Sequence, residues 1–464
     1  MVFSSLLFIF RFLPAALILY YIAPKKAKNL VLFLVSLVFY SWGEIRYFPI
    51  MITTIVVNYL CALGIEKFDR RSGVRRFLFL LALIVSLGFL FVFKYYDFFA
   101  QTVSSVTSLT IPLLELTLPL GISFYTFQTL SYTIDVYTRK VPAEHSFVDT
   151  AAFVTLFPQL IAGPIVRYTD IRRELKKRTI TPRMLEDGME DFIIGLARKV
   201  LIANNVGALW SEVETLGFSS VSTGLAWLGA IAFMLQIFFD FSGYSQMAIG
   251  LGKMMGFKFP ANFDNPYSSR SVTEFWRRWH MTLSSWFREY VYIPLGGNRK
   301  GLVRQIFNMF IVWALTGLWH GASWNFVLWG LFYFALLVIE KIGFLGWLGK
   351  HVTVSHLYTL FVVLMGWVIF SITDISSLGI FFSRMFTPHF VGNGTATVGA
   401  LYYLRNYIVS ISAGAFFSSD AASYVYGVVR ERRWLKNVLM CVLFLVCVAY
   451  LVDSTYNPFL YFRF

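Results

Sequence analysis

The chain has 464 residues, of which 57% are hydrophobic, 19% aromatic and only 14% charged. That is more apolar surface than a soluble core could use, so the composition points to an all-helical polytopic membrane protein and argues against an ordinary soluble domain. The formal net charge of +15 does not indicate nucleic acid as a partner, because Lys and Arg collect in short segments between apolar runs, the pattern of cytoplasmic membrane loops.

The first apolar run ends near Tyr21; it lacks a basic start and is followed at once by further runs, so it reads as a first transmembrane helix and not as a signal peptide. Lys25, Lys26 and Lys28 place the next loop in the cytoplasm and Met1 outside. The cluster Lys67, Arg70, Arg71, Arg75 and Arg76 must then be cytoplasmic too, and the two runs 30–42 and 48–63 deliver that parity. Residues 77–93 exit again, and 118–137 return toward Arg139 and Lys140.

Residues 151–164 break the rhythm. With Pro158 and the Gly163-Pro164 pair they fall short of the roughly twenty residues that cross a bilayer, and the most basic loop, Arg167 to Arg183, follows on the side already occupied by Lys140. A re-entrant segment buried in protein keeps the parity. Residues 192–210 and 225–251 form the next pair, and in the second Asp240 is a carboxylate inside an apolar run, which needs a partner or a cavity and reads as a structural ion pair or as a wall of the substrate site.

In the basic region 253–304, Ser271-Val272-Thr273-Glu274 reads as a capping box opening a helix through Trp276, Arg277, Arg278, Trp279 and His280 to Phe287 and Tyr290. Too charged to span and too aromatic to float free, it is predicted as one amphipathic helix at the interface or wedged between spans. Cys61, Cys441 and Cys447 sit in apolar runs without metal or disulfide spacing and read as small core hydrophobes.

His320 stands in residues 305–339, a stretch otherwise almost without charge. An ionisable group at membrane depth is a functional candidate by default. A straight helix over that stretch would be about 52 Å long, against a hydrocarbon core of about 30 Å, so it must break. Gly321 and Ser323 are the natural place, as a helix stop and the N-cap of a second arm. Each arm is then expected to hold about fourteen apolar residues and reach about 21 Å, shorter than the bilayer, a hairpin whose tip carries His320 within the membrane's depth. Loop parity agrees, because two arms put Arg430, Arg432, Arg433 and Lys436 inside after the runs 357–370 and 400–415. His320 would end the first arm, and the amides of Trp324, Asn325 and Phe326 would begin the second as free donors, placing a base beside donors able to hold an oxyanion. Trp319 and Asn325, on either side of the break, are candidate substrate-lining residues.

Blander readings compete. His320 could be a structural imidazole bonded across helices, and His280 an interfacial histidine on an amphipathic helix. The two are forty residues apart with no evident carboxylate partner, which makes a poor metal site, and none is expected. The other histidines, His145, His351, His356 and His389, lie in loops or at helix ends and read as background.

The run SRSVTEFWRRWHMTLSSWFREYVYIPLGGNRKG (269–301), followed by GLWHGASWNFVLWG (317–330), resembles the membrane-bound O-acyltransferase family, in particular its alginate and peptidoglycan O-acetyltransferase branch. The resemblance extends to residues 1–14, 118–132, 157–168 and 238–250. One departure is Gln246, where relatives usually carry an acid. The resemblance implies a single integral-membrane acyltransferase domain over 1–464, most diagnostic at 118–340, with a ring of about eleven transmembrane helices and re-entrant segments around a thin centre with an outward funnel. It implies a bacterial inner-membrane O-acetyltransferase that takes acetyl from cytoplasmic acetyl-CoA, with no tightly bound cofactor. The acyl group would pass to an extracytoplasmic hydroxyl of a polysaccharide, through a partner acetyltransferase. His320 falls on the family's catalytic histidine and His280 on its second characteristic histidine, with Arg277 and Arg278 available for the phosphates of coenzyme A. Two other functions fit parts of the pattern: D-alanyl transfer from a carrier protein to teichoic acid, and transport or flipping through broken helices.

Overall fold

The computed structural model describes residues 1–161, 163–389 and 399–453. All regular structure among them is helical. Eight helices are long and apolar enough to cross a membrane, and two more, Phe8–Ile22 and Ile375–Phe386, are apolar but shorter. The described residues fall into two compact units, one of Met1–Phe192 with Ser245–Pro260, the other of Ile193–Tyr244 with the described residues from Ala261 onward.

The first unit begins with α1 (Phe8–Ile22), α2 (Lys28–Glu44), α3 (Phe48–Lys67), α4 (Ser72–Val106) and α5 (Ile122–Tyr137). Helix α5 starts at Gly121, whose φ of +71° and whose approach to the Leu160 carbonyl, 2.7 Å from where a Cβ would stand, both require glycine. Its faces are buried almost throughout and carry hydroxyls and amides, so they need internal partners. Thr133 donates to Asn58 Oδ1 at 2.7 Å, and Asn58 donates to Ser86 at 2.8 Å, which joins α3, α4 and α5.

The predicted re-entrant stretch is broken as expected, into α6 (Phe147–Thr155) and α7 (Phe157–Leu160), at an extended Leu156 before Phe157-Pro158. The freed amide of Phe157 donates to Ser36 at 3.0 Å, and every described side chain from 150 to 161 is buried. Irregular backbone in an apolar protein persists where protein surrounds it and supplies partners. The basic loop that follows is more than a surface charge cluster. In α8 (Tyr168–Lys176) and beyond it, Lys176 binds Glu144 at 2.6 Å and Asp149 at 2.8 Å, and Arg178 donates to Tyr20 and Asn29.

Helix α9 (Pro182–Leu216) starts ten residues before the predicted run, just after Thr181, whose hydroxyl accepts the Met184 amide. Both α9 and α10 (Thr223–Met254) have residues in each unit. In the first unit they touch through Gly188 and Gly250: a Cβ on Gly250 would stand 2.5 Å from the Gly188 carbonyl. Gln246, the departure from the usual acid, donates to Asp191 at 3.4 Å, and Lys253 pairs with the same carboxylate at 2.5 Å. A neutral donor at 246 avoids setting a second carboxylate beside Asp191.

The second unit continues with α11 (Val272–Arg278), α12 (Met281–Phe287), α13 (Leu302–His320), α14 (Trp324–Leu348), α15 (Val352–Ser371), α16 (Ile375–Phe386), α17 (Ala400–Phe417), α18 (Asp420–Glu431) and α19 (Arg433–Asp453). The expected hairpin is present as α13 and α14. Its arms are longer than predicted, however: α13 has 19 residues, about 29 Å, and α14 has 25. The first arm therefore matches a full hydrocarbon core, so arm length does not sink the tip into the membrane. The arms are clamped by glycine, since a Cβ on Gly317 would lie 2.4 Å from the Phe326 carbonyl and one on Gly330 2.5 Å from that of Trp313. Of the cysteines, Cys61 and Cys447 are buried as expected and Cys441 is exposed.

Candidate active site

The break at the hairpin tip falls where the sequence placed it. Helix α13 ends at His320, Gly321 and Ser323 are extended, and α14 starts at Trp324. The reason for Gly321 differs from the one anticipated. Its φ of −167° is open to any residue, but a Cβ there would stand 2.2 Å from the Phe326 ring. Ser323 makes no side-chain cap, and the Phe326 amide donates to the Ser323 carbonyl at 3.2 Å. Phe326 is thus not the free donor predicted for the start of the second arm.

The His320 ring is walled by aromatics, with Trp319, Trp329 and Phe370 at 5.0, 5.0 and 5.2 Å between centroids, all edge-on. Asn325 is fully buried and donates to the carbonyls of Ile369 at 3.2 Å and Phe370 at 3.0 Å. Its amide therefore ties α14 to the end of α15, beside the Phe370 ring that faces His320.

His280 departs most from the sequence reading. The predicted amphipathic helix is two helices, α11 and α12, broken at His280 itself, which adopts φ +44° and ψ +52°. A non-glycine residue in the left-handed region costs roughly 1–2 kcal/mol and persists where neighbours hold it. Here the carbonyl of Asn262 accepts the Met281 amide at 2.9 Å, and the Arg278 carbonyl accepts the Asp264 amide at 3.0 Å. The ring is 1% exposed, so His280 is a core group and not an interfacial one. Nδ1 lies 3.1 Å from Asn262 Oδ1, while Nε2 is buried without a hydrogen-bond partner. His280 lies outside the eight long apolar helices, and burial alone pushes its imidazole down to about 3.

Trp319 joins the two histidines. It is buried, with the His280 ring 5.9 Å and the His320 ring 5.0 Å from its own centroid. Phe241 of α10 packs edge-on against His280 at 4.6 Å. The structure thus gathers His280, Trp319 and His320 into one site in the second unit.

The remaining candidates lie around it. Asp240 is paired with Lys199 at 2.8 Å, both nearly inaccessible, and Lys199 also donates to Asn204 at 2.8 Å. Lys199 sits in a widened turn, Arg198–Ala203, inside α9. Arg277 is exposed, whereas Arg278 is engaged by Glu274 at 2.8 Å. Ser271 caps Glu274 as predicted, but the Glu274 carboxylate reaches the Arg270 amide instead of that of Ser271. The first amides of α11 belong to Glu340 of α14: Val272 N and Thr273 N donate to its two oxygens at 2.6 and 2.8 Å, and the Thr273 hydroxyl at 2.6 Å. Sequence reasoning missed Glu340, Lys199 and Asn262, because each acts on a partner 18 to 68 positions away with no local signal.

The fold and this site define a multi-pass membrane protein built around a histidine-tryptophan-histidine cluster. The chain belongs to the membrane-bound O-acyltransferase family, whose sequence model matches residues 37–382, and it is an O-acyltransferase. It is 42% identical over 392 residues to a protein named probable alginate O-acetylase from Pseudomonas syringae pv. tomato, covering 83% of this chain and 75% of that one. It is 32% identical to the peptidoglycan O-acetyltransferase of Helicobacter pylori over 100% of this chain and 98% of the relative. A teichoic acid D-alanyltransferase of Streptococcus thermophilus matches at 31% over 51% of this chain.

Proposed function

We propose that the protein is a bacterial inner-membrane O-acetyltransferase. In this reading it moves an acetyl group from cytoplasmic acetyl-CoA to an extracytoplasmic hydroxyl, for O-acetylation of an exported or cell-wall polysaccharide through a partner acetyltransferase. Alginate- and peptidoglycan-modifying relatives that match nearly the whole chain support acetyl and polysaccharide. The half-length match to a D-alanyltransferase makes a carrier-borne acyl group the competing donor. Loop charges support an outside N-terminus.

The observation that carries the mechanism is the pair of imidazoles packed against Trp319, each at a helix break. His320 is the general base. It takes the proton of the acceptor hydroxyl as that oxygen bonds to the thioester carbonyl carbon, and the tetrahedral oxyanion collapses with loss of the thiolate, which regains a proton. Arg277, exposed at the end of α11, is available to pair with the donor's phosphates.

The test is donor use. The purified full chain in liposomes is given labelled acetyl-CoA, or a D-alanylated carrier protein, together with a soluble glycan acceptor and the candidate partner. Label passing from acetyl-CoA alone supports the reading. Transfer from the carrier alone moves the protein to the D-alanyl branch, and movement of unmodified glycan across the membrane without acyl transfer would make it a flippase.

A further inference from the structure

His280 is buried, strained and in contact with the same tryptophan as His320, yet the mechanism above gives it no step. Its surroundings fix its chemical form. The Thr282 backbone amide lies 3.3 Å from Asn262 Oδ1, and a backbone amide can only donate, so the Asn262 atom facing it is the carbonyl oxygen. The Thr282 hydroxyl donates to the same oxygen at 2.8 Å. His280 Nδ1, 3.1 Å from that oxygen, must therefore carry a proton. In the neutral ring the lone pair then resides on Nε2, which is buried with no partner. Protonation would place an N–H on Nε2 with nothing to receive it, a costly state in a dry environment.

We infer that Asn262 is a positioning residue that locks His280 in the neutral, Nδ1-protonated form, leaving Nε2 as a hydrogen-bond acceptor for one N–H or O–H donor of the substrate. Such a donor is available on either substrate, as an amide of the pantetheine arm or the acceptor hydroxyl. No charged neighbour supplies the lock: burial alone acts on the ring, Arg278 is held by Glu274, and the rings against His280 include Phe241, Phe263 and Trp319. His280 in this role is distinct from the base. It orients a substrate dipole, while proton abstraction stays with His320. The inference rests on the acyltransfer reading for its substrate, but the form of the ring can be tested without any substrate.

The first measurement is nitrogen-15 NMR of the full chain labelled at histidine, with His280→Gln used to assign the signal. The expected result is a ring with protonated Nδ1 and unprotonated Nε2 that does not titrate between about pH 8 and pH 5, where an ordinary imidazole would. A protonated Nε2, or titration near the usual value, overturns the inference whatever the protein's function. The second measurement is kinetic. Asn262→Leu should lower kcat/KM about tenfold through loss of the oriented acceptor. A rise in KM for acetyl-CoA locates the donor on the pantetheine arm, and a rise in KM for the glycan locates it on the hydroxyl. Asn262→Asp should restore much of the rate near pH 8 and lose it as pH falls, because a carboxylate beside Nδ1 favours the imidazolium and turns Nε2 into a donor. If Asn262→Leu fails to fold, the Asn262→Asp profile and the NMR decide. An unchanged rate in Asn262→Leu, or a wild-type pH profile in Asn262→Asp, overturns the inference while leaving acetyl transfer by the wild type intact. Absence of acetyl transfer in the wild type defeats the functional reading alone.

Discussion

Replacing Glu340 tests how the site's scaffold is held. Its carboxylate, 1% exposed, is the only described acceptor for the Val272 and Thr273 amides, which open the seven-residue helix leading to His280. Glu340→Ala leaves the two backbone amides unmet at about 1–3 kcal/mol each, so about 2–6 kcal/mol for them, while the Thr273 hydroxyl, which also loses its acceptor, can rotate; roughly 0.3–1 kcal/mol more goes with the lost charge at the helix start. Glu340→Gln keeps one acceptor oxygen, so one of the two amides faces an NH2 group and the loss is about half. The assay is thermal unfolding of the detergent-purified chain followed by size-exclusion recovery, with the transfer rate measured below the transition. The order wild type, Glu340→Gln, Glu340→Ala is expected in both stability and rate, because α11 carries Trp276 and ends at the His280 break. An Ala variant that unfolds with the wild type would show that these bonds do not hold the helix.

Three other outcomes follow from the same structure. Gly317→Ala drives a methyl into the Phe326 carbonyl at 2.4 Å, so it should destabilise the hairpin by about 1–3 kcal/mol and slow transfer, as read by the same unfolding assay. Lys199→Met or Asp240→Leu alone strands a buried charge and should cost about 3–5 kcal/mol, whereas the double replacement should recover much of that loss; equal loss in all three would show that the pair acts beyond its charge. His280 has a folded-state pKa near 3 against an ordinary value near 6.5, so between these values the unfolded chain binds the extra proton. Stability should therefore fall by up to about 1.4 kcal/mol per pH unit as pH drops below 6.5, and His280→Gln should flatten that slope in urea unfolding at a series of pH values.

Much of this architecture was legible because the relevant signals are local. The break after His320 announces itself in Gly321 and Ser323, the α11 start in Ser271, and the interrupted segment near Leu156 in Pro158 and its short apolar run. Where the signal is not local, the sequence is silent. The break at His280 carries neither Gly nor Pro, because the left-handed turn is imposed by the strand of chain at Asn262–Asp264. Asp240 was visibly in need of a partner, but Lys199 lies 41 residues earlier on another helix. Gly321 was correctly singled out for the wrong reason: tertiary space for Phe326 requires it, and the backbone angle does not. Arm length was underestimated because charged residues in the outer turns, Arg304 in the first arm and Glu340 and Lys341 in the second, hide helix that continues to Leu302 and Leu348.

The proposed mechanism stands or falls on His320 as the base. The most direct measurement is the initial rate of labelled acetyl transfer from acetyl-CoA by the full chain in liposomes, comparing wild type with His320→Gln at matched protein and matched unfolding temperature. A loss of about a hundredfold to ten-thousandfold in kcat is expected for the variant, the range carried by a positioned general base. A correctly folded His320→Gln protein that transfers acetyl at the wild-type rate would contradict it.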